Sequence, residues 1–258
     1  MLREAQEKLK KYYGYDNFRK GQEDVIDSIL SGKDTFAVMP TGAGKSVCYQ
    51  IPALMLGGVT LVISPLISLM KDQVDTLNSI GIAATYINSS LSINEVNERI
   101  DKVARGEFKL LYVAPERLES DFFCNMLNRL KISLLAVDEA HCVSQWGHDF
   151  RPSYAAISSL IDKLSERPII AAFTATATQD VRTDVIKLLK LREPDVYVTG
   201  FNRENLSFTV IRGENKRDFV LKYIEGNKDK VGIIYTATRK ETNNLYELLH
   251  KKGYSVGK

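Results

Sequence analysis

The sequence predicts an α/β fold, a parallel sheet flanked by helices. Three observations carry this. Short apolar runs at 35–39, 60–63, 109–113, 132–137 and 169–173 mostly lack the in/out alternation of half-solvated strands, as strands buried on both faces do. Amphipathic stretches separate them. Polar residues gather at the run ends, where open parallel sheets place their ligands.

With 258 residues, 44% hydrophobic and 26% charged, the chain has an ordinary globular composition and room for one large domain plus part of a second. A net charge of +3 permits a nucleic-acid partner without demanding one. Cys48, Cys124 and Cys142 are far apart and form no C-x-x-C pair, which argues against a disulfide framework or zinc site and for reduced thiols. The N-terminus is charged from the start, and no apolar run approaches the roughly 20 residues that span a bilayer. A soluble, cytoplasmic protein with no membrane partner is expected.

The first run leads into Met39-Pro40-Thr41-Gly42-Ala43-Gly44-Lys45-Ser46, a strand–loop–helix context suited to phosphate binding. The backbone of Thr41, Gly42, Ala43 and Gly44 can turn amides toward phosphates, Lys45 can reach the β/γ-phosphates, and the Ser46 hydroxyl can ligate magnesium. The strict pattern has Gly where Met39 stands. The runs at 60–63 and 109–113 end in Ser64-Pro65-Leu66-Ile67-Ser68 and Ala114-Pro115-Glu116-Arg117. Backbone amides, Ser68 and Arg117 could contact phosphates there, although each segment is also a common strand-to-helix turn. In 92–103, Ile93, Val96, Ile100 and Val103 share one helical face, and Ser92 with Glu95 forms a capping box.

The run at 132–137 ends in Asp138-Glu139-Ala140-His141. Asp138 is placed to hold magnesium and Glu139 to polarise an attacking water. Taken alone, the pair reads equally as a helix N-cap with a solvated neighbour; a phosphate-binding loop on the same sheet favours chemistry. Trp146, the single tryptophan, follows with His148, Phe150, Arg151 and Tyr154 in a stretch that has neither helical nor strand period. Base stacking is one reading and a buried packing loop the other. Thr174 and Thr176 close the run at 169–173, either to relay contacts or to cap the helix over 178–189, where Val181, Val185, Leu188 and Leu189 share a face. Upstream, Tyr15, Arg19 and Gln22 could hold a base edge and face, or could be a core aromatic with a surface arginine.

Around 193–205 the pattern breaks. A strand over 206–211, a helix over 216–224, a strand over 231–235 and a helix capped by Thr238 and Glu241 then follow. We read a first domain over 1–200 and the beginning of a second over 201–258.

The ordered set Tyr13-Gly14-Tyr15, Phe18-Arg19, Gly21-Gln22, Thr41 to Ser46, Ser64-Pro65-Leu66, Ala114 to Arg117, Asp138 to His141, Ser144-Gln145-Trp146-Gly147-His148-Asp149-Phe150-Arg151-Pro152 and Thr174-Ala175-Thr176-Ala177 resembles the RecQ branch of superfamily 2 DNA helicases. The resemblance runs from about residue 10 to the end of the chain and argues against the similar DEAD-box RNA helicases. It implies RecA-like P-loop domains and an ATP- and Mg2+-dependent motor moving 3′ to 5′ on single-stranded and partially duplex DNA in recombination and repair. It further implies adenine binding by Tyr15, Arg19 and Gln22, hydrolysis driven by Lys45, Asp138, Glu139 and His141, and DNA coupling through Trp146, His148, Phe150 and Arg151. A bacterial, nucleoid-associated monomer is expected, with single-strand-binding protein as a partner. Arg203-Glu204-Asn205 stands where the family has Arg-Pro-Asn. The family's arginine finger, zinc module and winged helix have no counterpart, so a truncated fragment with weak or no unwinding is expected, and zinc only in a region this chain lacks.

Overall fold

Apolar β-branched runs make seven strands: β1 Thr35–Val38, β2 Val59–Ile63, β3 Ala84–Ile87, β4 Leu110–Val113, β5 Ile132–Val137, β6 Ile169–Thr174 and β7 Asp195–Val198. They pair in the order β3-β4-β2-β5-β6-β1-β7, with every pair parallel. The computed structural model describes residues 1–147, 149–200 and 206–258. The chain divides into two units, Met1–Asn202 and Arg203–Lys258, and the sheet belongs to the first.

The two-residue period of the strands builds a core on each face. Ala37, Val62, Tyr112, Ala136 and Phe173 pack with α1 (Leu2–Tyr13), α2 (Gln22–Leu30), α3 (Lys45–Ala53) and α4 (Ile67–Ser79). Phe36, Val38, Ile63, Val113, Val137 and Ala172 pack with α5 (Ile93–Ala104), α6 (Asp121–Leu127), α7 (Ala155–Lys163) and α8 (Gln179–Leu188). Helix α5 begins at the expected capping box, with Ser92 and Glu95 each capping the other's backbone.

Buried Asp34, just before β1, binds the sheet's opening edge together. Its carboxylate accepts from the Arg167 guanidinium, from Ile170 N at 2.9 Å and from Arg192 N at 2.7 Å. This brace holds β1 and β6 in register from the end opposite the phosphate loop.

Two strands escape sequence reading. β3 is only four residues long and is followed by the polar turn Asn88-Ser89-Ser90. β7 lies in the stretch read as a break, because an edge strand leaves Val196 and Val198 exposed and carries the charged Asp195. In the second unit the helices form, as α9 Lys216–Glu225 and α10 Arg239–Lys251, the latter capped by Thr238 on Glu241 N. The strands expected over 206–211 and 231–235 do not. Neither segment has a ladder partner among the described residues, and Phe208, Val231 and Tyr235 are almost wholly exposed. Apolar pattern proposes a strand, but only a neighbour's hydrogen bonds make one. No helix among the described residues is long and apolar enough to cross a membrane.

Asp34→Ala strands Arg167 and two backbone N–H groups, so the first unit should lose about 3 kcal/mol in urea denaturation. Burial also pushes the Cys48 thiol from 9.0 up to about 12 and the Tyr112 phenol from 10.0 up to about 12. Both folded values are raised, so these groups' contribution is intact below pH 9 and is lost as the pH climbs toward 12. Urea midpoints should be level from pH 7 to 8.5 and fall above about pH 9, with a shallower fall in Cys48→Ala. A level midpoint through pH 10.5 would contradict this.

Candidate functional site

The loop between β1 and α3 is shaped by its glycines. Gly42 and Gly44 have φ of 81° and 82°, a left-handed conformation costly for other residues. A Cβ on Gly44 would lie 2.4 Å from Gln22 Nε2. Helix α3 opens on Gly44 with no side-chain cap, leaving its first amides for an anion. Lys45 Nζ donates to Met39 O at 3.2 Å, bending back along the loop. The half-buried Ser46 stands one residue further on.

Arg19 and Gln22 reach this loop rather than standing apart from it. Gln22 is buried, its Nε2 donating to Ala43 O and Gly44 O at 3.1 Å and its Oε1 accepting from Arg19 N at 2.8 Å. Arg19 Nη1 donates to Gly42 O at 2.6 Å. The pair therefore latches α2 to the phosphate loop. Tyr15 is 55% exposed, with its ring face open to stacking.

Across the sheet edge, Asp138 caps β5. It is buried, its Oδ1 accepts from Glu139 N at 3.0 Å, and its carbonyl accepts from Tyr154 Oη at 2.9 Å. Burial, then the neighbouring Glu139 charge, push the Asp138 carboxyl up to about 6 against the pull of Lys45. A hard divalent cation would relieve that penalty, and a buried carboxylate with a serine hydroxyl is the oxygen donor set magnesium takes. Glu139 has φ 47°, so the chain turns sharply at this residue. Its Oε2 lies 3.3 Å from His141 Nδ1, and the same nitrogen lies 2.8 Å from Thr174 Oγ1. The Thr174 hydroxyl donates to Thr176 O at 3.0 Å, so the proton shared with histidine belongs on Nδ1. Met39 N donates to Thr174 O at 2.9 Å, which returns the chain of contacts to the phosphate loop. The helix-capping role falls to Thr178, which accepts from Val181 N, and not to Thr174 or Thr176.

The aromatic segment leaves this cluster through a short 3-10 turn, Ala140–Val143. Gly147 sits so close to it that a Cβ would lie 2.4 Å from His141 O. Trp146 is 77% exposed and Phe150 39%, whereas Tyr154 is fully buried in the core, so the segment divides into an open aromatic part and a packing part. Arg151 clamps the segment's far end: its N donates to Cys142 O at 2.9 Å, Nη1 to Pro65 O at 3.0 Å, and Nε and Nη2 to Asp149 Oδ2. Ser68 is exposed in the first turn of α4. Arg117 donates from Nε and Nη2 to Asn88 O and from Nη2 to Leu91 O, so it builds the turn after β3. His148 and 203–205 lie outside the described residues. Sequence reading missed Asp184, whose Oδ2 accepts from Ser144 Oγ at 2.8 Å; its signal is a carboxylate between the two core valines of α8.

Residues 19–184 match the protein family described as DEAD/DEAH box helicase. The chain belongs to the DEAD/DEAH box helicase family. The matched stretch begins at Arg19 of the latch and runs to Asp184. Among this family's curated members the chain is 50% identical, over its full length, to the ATP-dependent DNA helicase RecQ of Bacillus subtilis (strain 168), of which it covers 44%. It is 47% identical over 95% of its length to the RecQ of Pasteurella multocida (strain Pm70), covering 38% of that protein. The RecQ resemblance drawn from the motifs is thus borne out, and the chain spans less than half the length of these relatives. The fold also matches solved helicases. The DUF1998 helicase MrfA aligns over 99% of this chain and 42% of its own, with a TM-score of 0.70 at 18% identity. A hypothetical ATP-dependent RNA helicase from Sulfolobus tokodaii aligns over 76% and 57%, with a TM-score of 0.58 at 22% identity. At such identities the likeness shows the RecA-like fold alone.

Gly44→Ala should weaken binding of a fluorescent ATP analogue by about tenfold or more, since a left-handed alanine costs ~1–2 kcal/mol and its methyl displaces Gln22. Unchanged affinity would mean the latch does not shape the loop.

Proposed function

We propose that this chain carries the nucleotide site of an ATP-dependent DNA helicase that moves 3′ to 5′ along single-stranded DNA and unwinds duplexes in recombination and repair. The observation that carries the reading is the continuity of one segment. Asp138 lies near enough to Lys45 of the phosphate loop for their charges to interact, and eight residues after Asp138 the same backbone exposes Trp146. RecQ relatives named as ATP-dependent DNA helicases support both the cofactor and the substrate.

In this reading the loop amides, the α3 N-terminus and Lys45 hold the β- and γ-phosphates. Ser46 and Asp138 hold magnesium, which when bound supplies positive charge to the phosphate oxygens. Glu139 orients a water against the γ-phosphorus and accepts its proton. The new P–O bond forms as the bond to the bridging oxygen breaks, leaving ADP and phosphate. His141, held by Thr174, fixes the Glu139 carboxylate where it can do this. Tyr15, Arg19 and Gln22 hold the adenine, with Tyr15 stacked on its face. Trp146 and Phe150 stack on exposed bases, at roughly 1–3 kcal/mol each, with Ser68 and Thr176 along the same edge.

The test is ATP hydrolysis with and without a single-stranded oligonucleotide, in the longest form of the protein its gene encodes. DNA should stimulate turnover, Lys45→Ala should abolish it, and Trp146→Ala should remove the stimulation. Turnover that ignores DNA, or that survives Lys45→Ala, would sink the proposal.

A further inference from the structure

The exposed tryptophan is bonded to Ser144, which is held by a residue forty positions further along the chain. Ser144, fully buried, donates its hydroxyl to Asp184 Oδ2 at 2.8 Å and accepts from Trp146 N at 3.2 Å. Ser144 O also accepts from Gly147 N at 3.0 Å, so one serine fixes the base of the aromatic loop from both its side chain and its backbone. A hydroxyl donating to a carboxylate is a short, directional, charge-assisted bond. Asp184 is part-buried and lies on α8 between Val181 and Val185, both in the core.

What α8 is attached to gives this contact its meaning. The helix begins at the Thr178 cap, four residues past Thr174. Thr174 in turn binds the His141 side chain and, through its carbonyl, Met39 at the start of the phosphate loop. Any displacement of the β6 tip therefore reaches Asp184 through a capped helix. From Asp184 it reaches Trp146 through one hydroxyl. A second route exists along the backbone, from Glu139 through the 3-10 turn to Ser144. The two routes converge on Ser144.

We infer that Asp184 is a positioning residue that, through Ser144, sets where Trp146 stands relative to the nucleotide site. The inference deepens the proposed helicase reading and rests on it for its functional consequence. The anchor itself is a property of this chain without any ligand. With Asp184 in place the loop presents its tryptophan in one orientation. Without it the loop keeps its aromatic residues but loses the link to α8.

Trp146 is the single tryptophan, so its fluorescence reports the loop directly. Time-resolved anisotropy of the 258-residue chain, free of nucleotide and DNA, should show a larger fast component in Ser144→Ala and Asp184→Ala. Asp184→Asn, whose amide oxygen still accepts from Ser144, should restore the native value. Quenching of Trp146 by a single-stranded oligonucleotide should then need about tenfold more DNA in the two alanine variants, a typical size for coupling between sites. The double variant should be no worse than either single one, and affinity for a fluorescent ATP analogue should stay native in all of them. An unchanged fast component in both alanine variants overturns the inference. So does an additive double variant, because the two residues would then act separately. Should Asp184→Ala fail to fold, Ser144→Ala decides alone, as it removes one oxygen and keeps the packing. If the native chain shows no quenching by DNA while the anisotropy changes as expected, the DNA reading fails and the anchor stands.

Discussion

The site depends on one constraint, the parallel alignment of β5, β6 and β1 as neighbours. Val137 stands opposite Ala172, and Val38 opposite Thr174. That register brings the phosphate loop after β1, the carboxylates after β5 and Thr174 at the tip of β6 into one short arc, although they are far apart in sequence. A slip of one residue would exchange the two faces of a strand, turning Asp138 and Thr174 away from their partners. The Asp34 brace at the opposite edge and the Met39–Thr174 bond at this one fix the alignment at both ends. The geometry of the carboxyl edge thus rests in part on side-chain bonds at the amino edge.

The site's electrostatics follow from burial. A carboxylate sealed at the end of a core strand, with a second carboxylate next to it, resists ionisation, and Lys45 opposes that only in part. One series of polar contacts runs from Met39 through Thr174 and His141 to Glu139, and a separate one runs from Gln22 and Arg19 to the loop backbone. Displacing any member has few ways to be absorbed locally, because each neighbour is already hydrogen-bonded.

Much of this was legible in the sequence, and for identifiable reasons. β1, β5 and β6 show as continuous apolar runs because both their faces are buried, and Ser92 and Thr238 announce α5 and α10 because caps are local chemistry. The positions of Gly42, Gly44 and Lys45 in a strand-to-helix turn, and of Asp138 and Glu139 after a buried strand, were readable because strand, loop and helix context is local. Contacts between distant segments were not. Nothing local says that Gln22 bonds two carbonyls of the phosphate loop, that Arg117 turns inward on Asn88, or that Asp184 reaches Ser144. β7 was hidden because an edge strand need not be apolar. The expected strands at 206–211 and 231–235 failed for the converse reason, since an apolar run without a neighbour has no ladder to join.

The left-handed turn at Glu139 has a consequence for how this protein can be improved. A glutamate held at φ 47° carries a backbone cost of about 1–3 kcal/mol that glycine would not. Selection for thermal robustness alone would therefore pull this position toward glycine and remove the carboxylate that sits against His141. Screens that reward stability alone would favour that exchange.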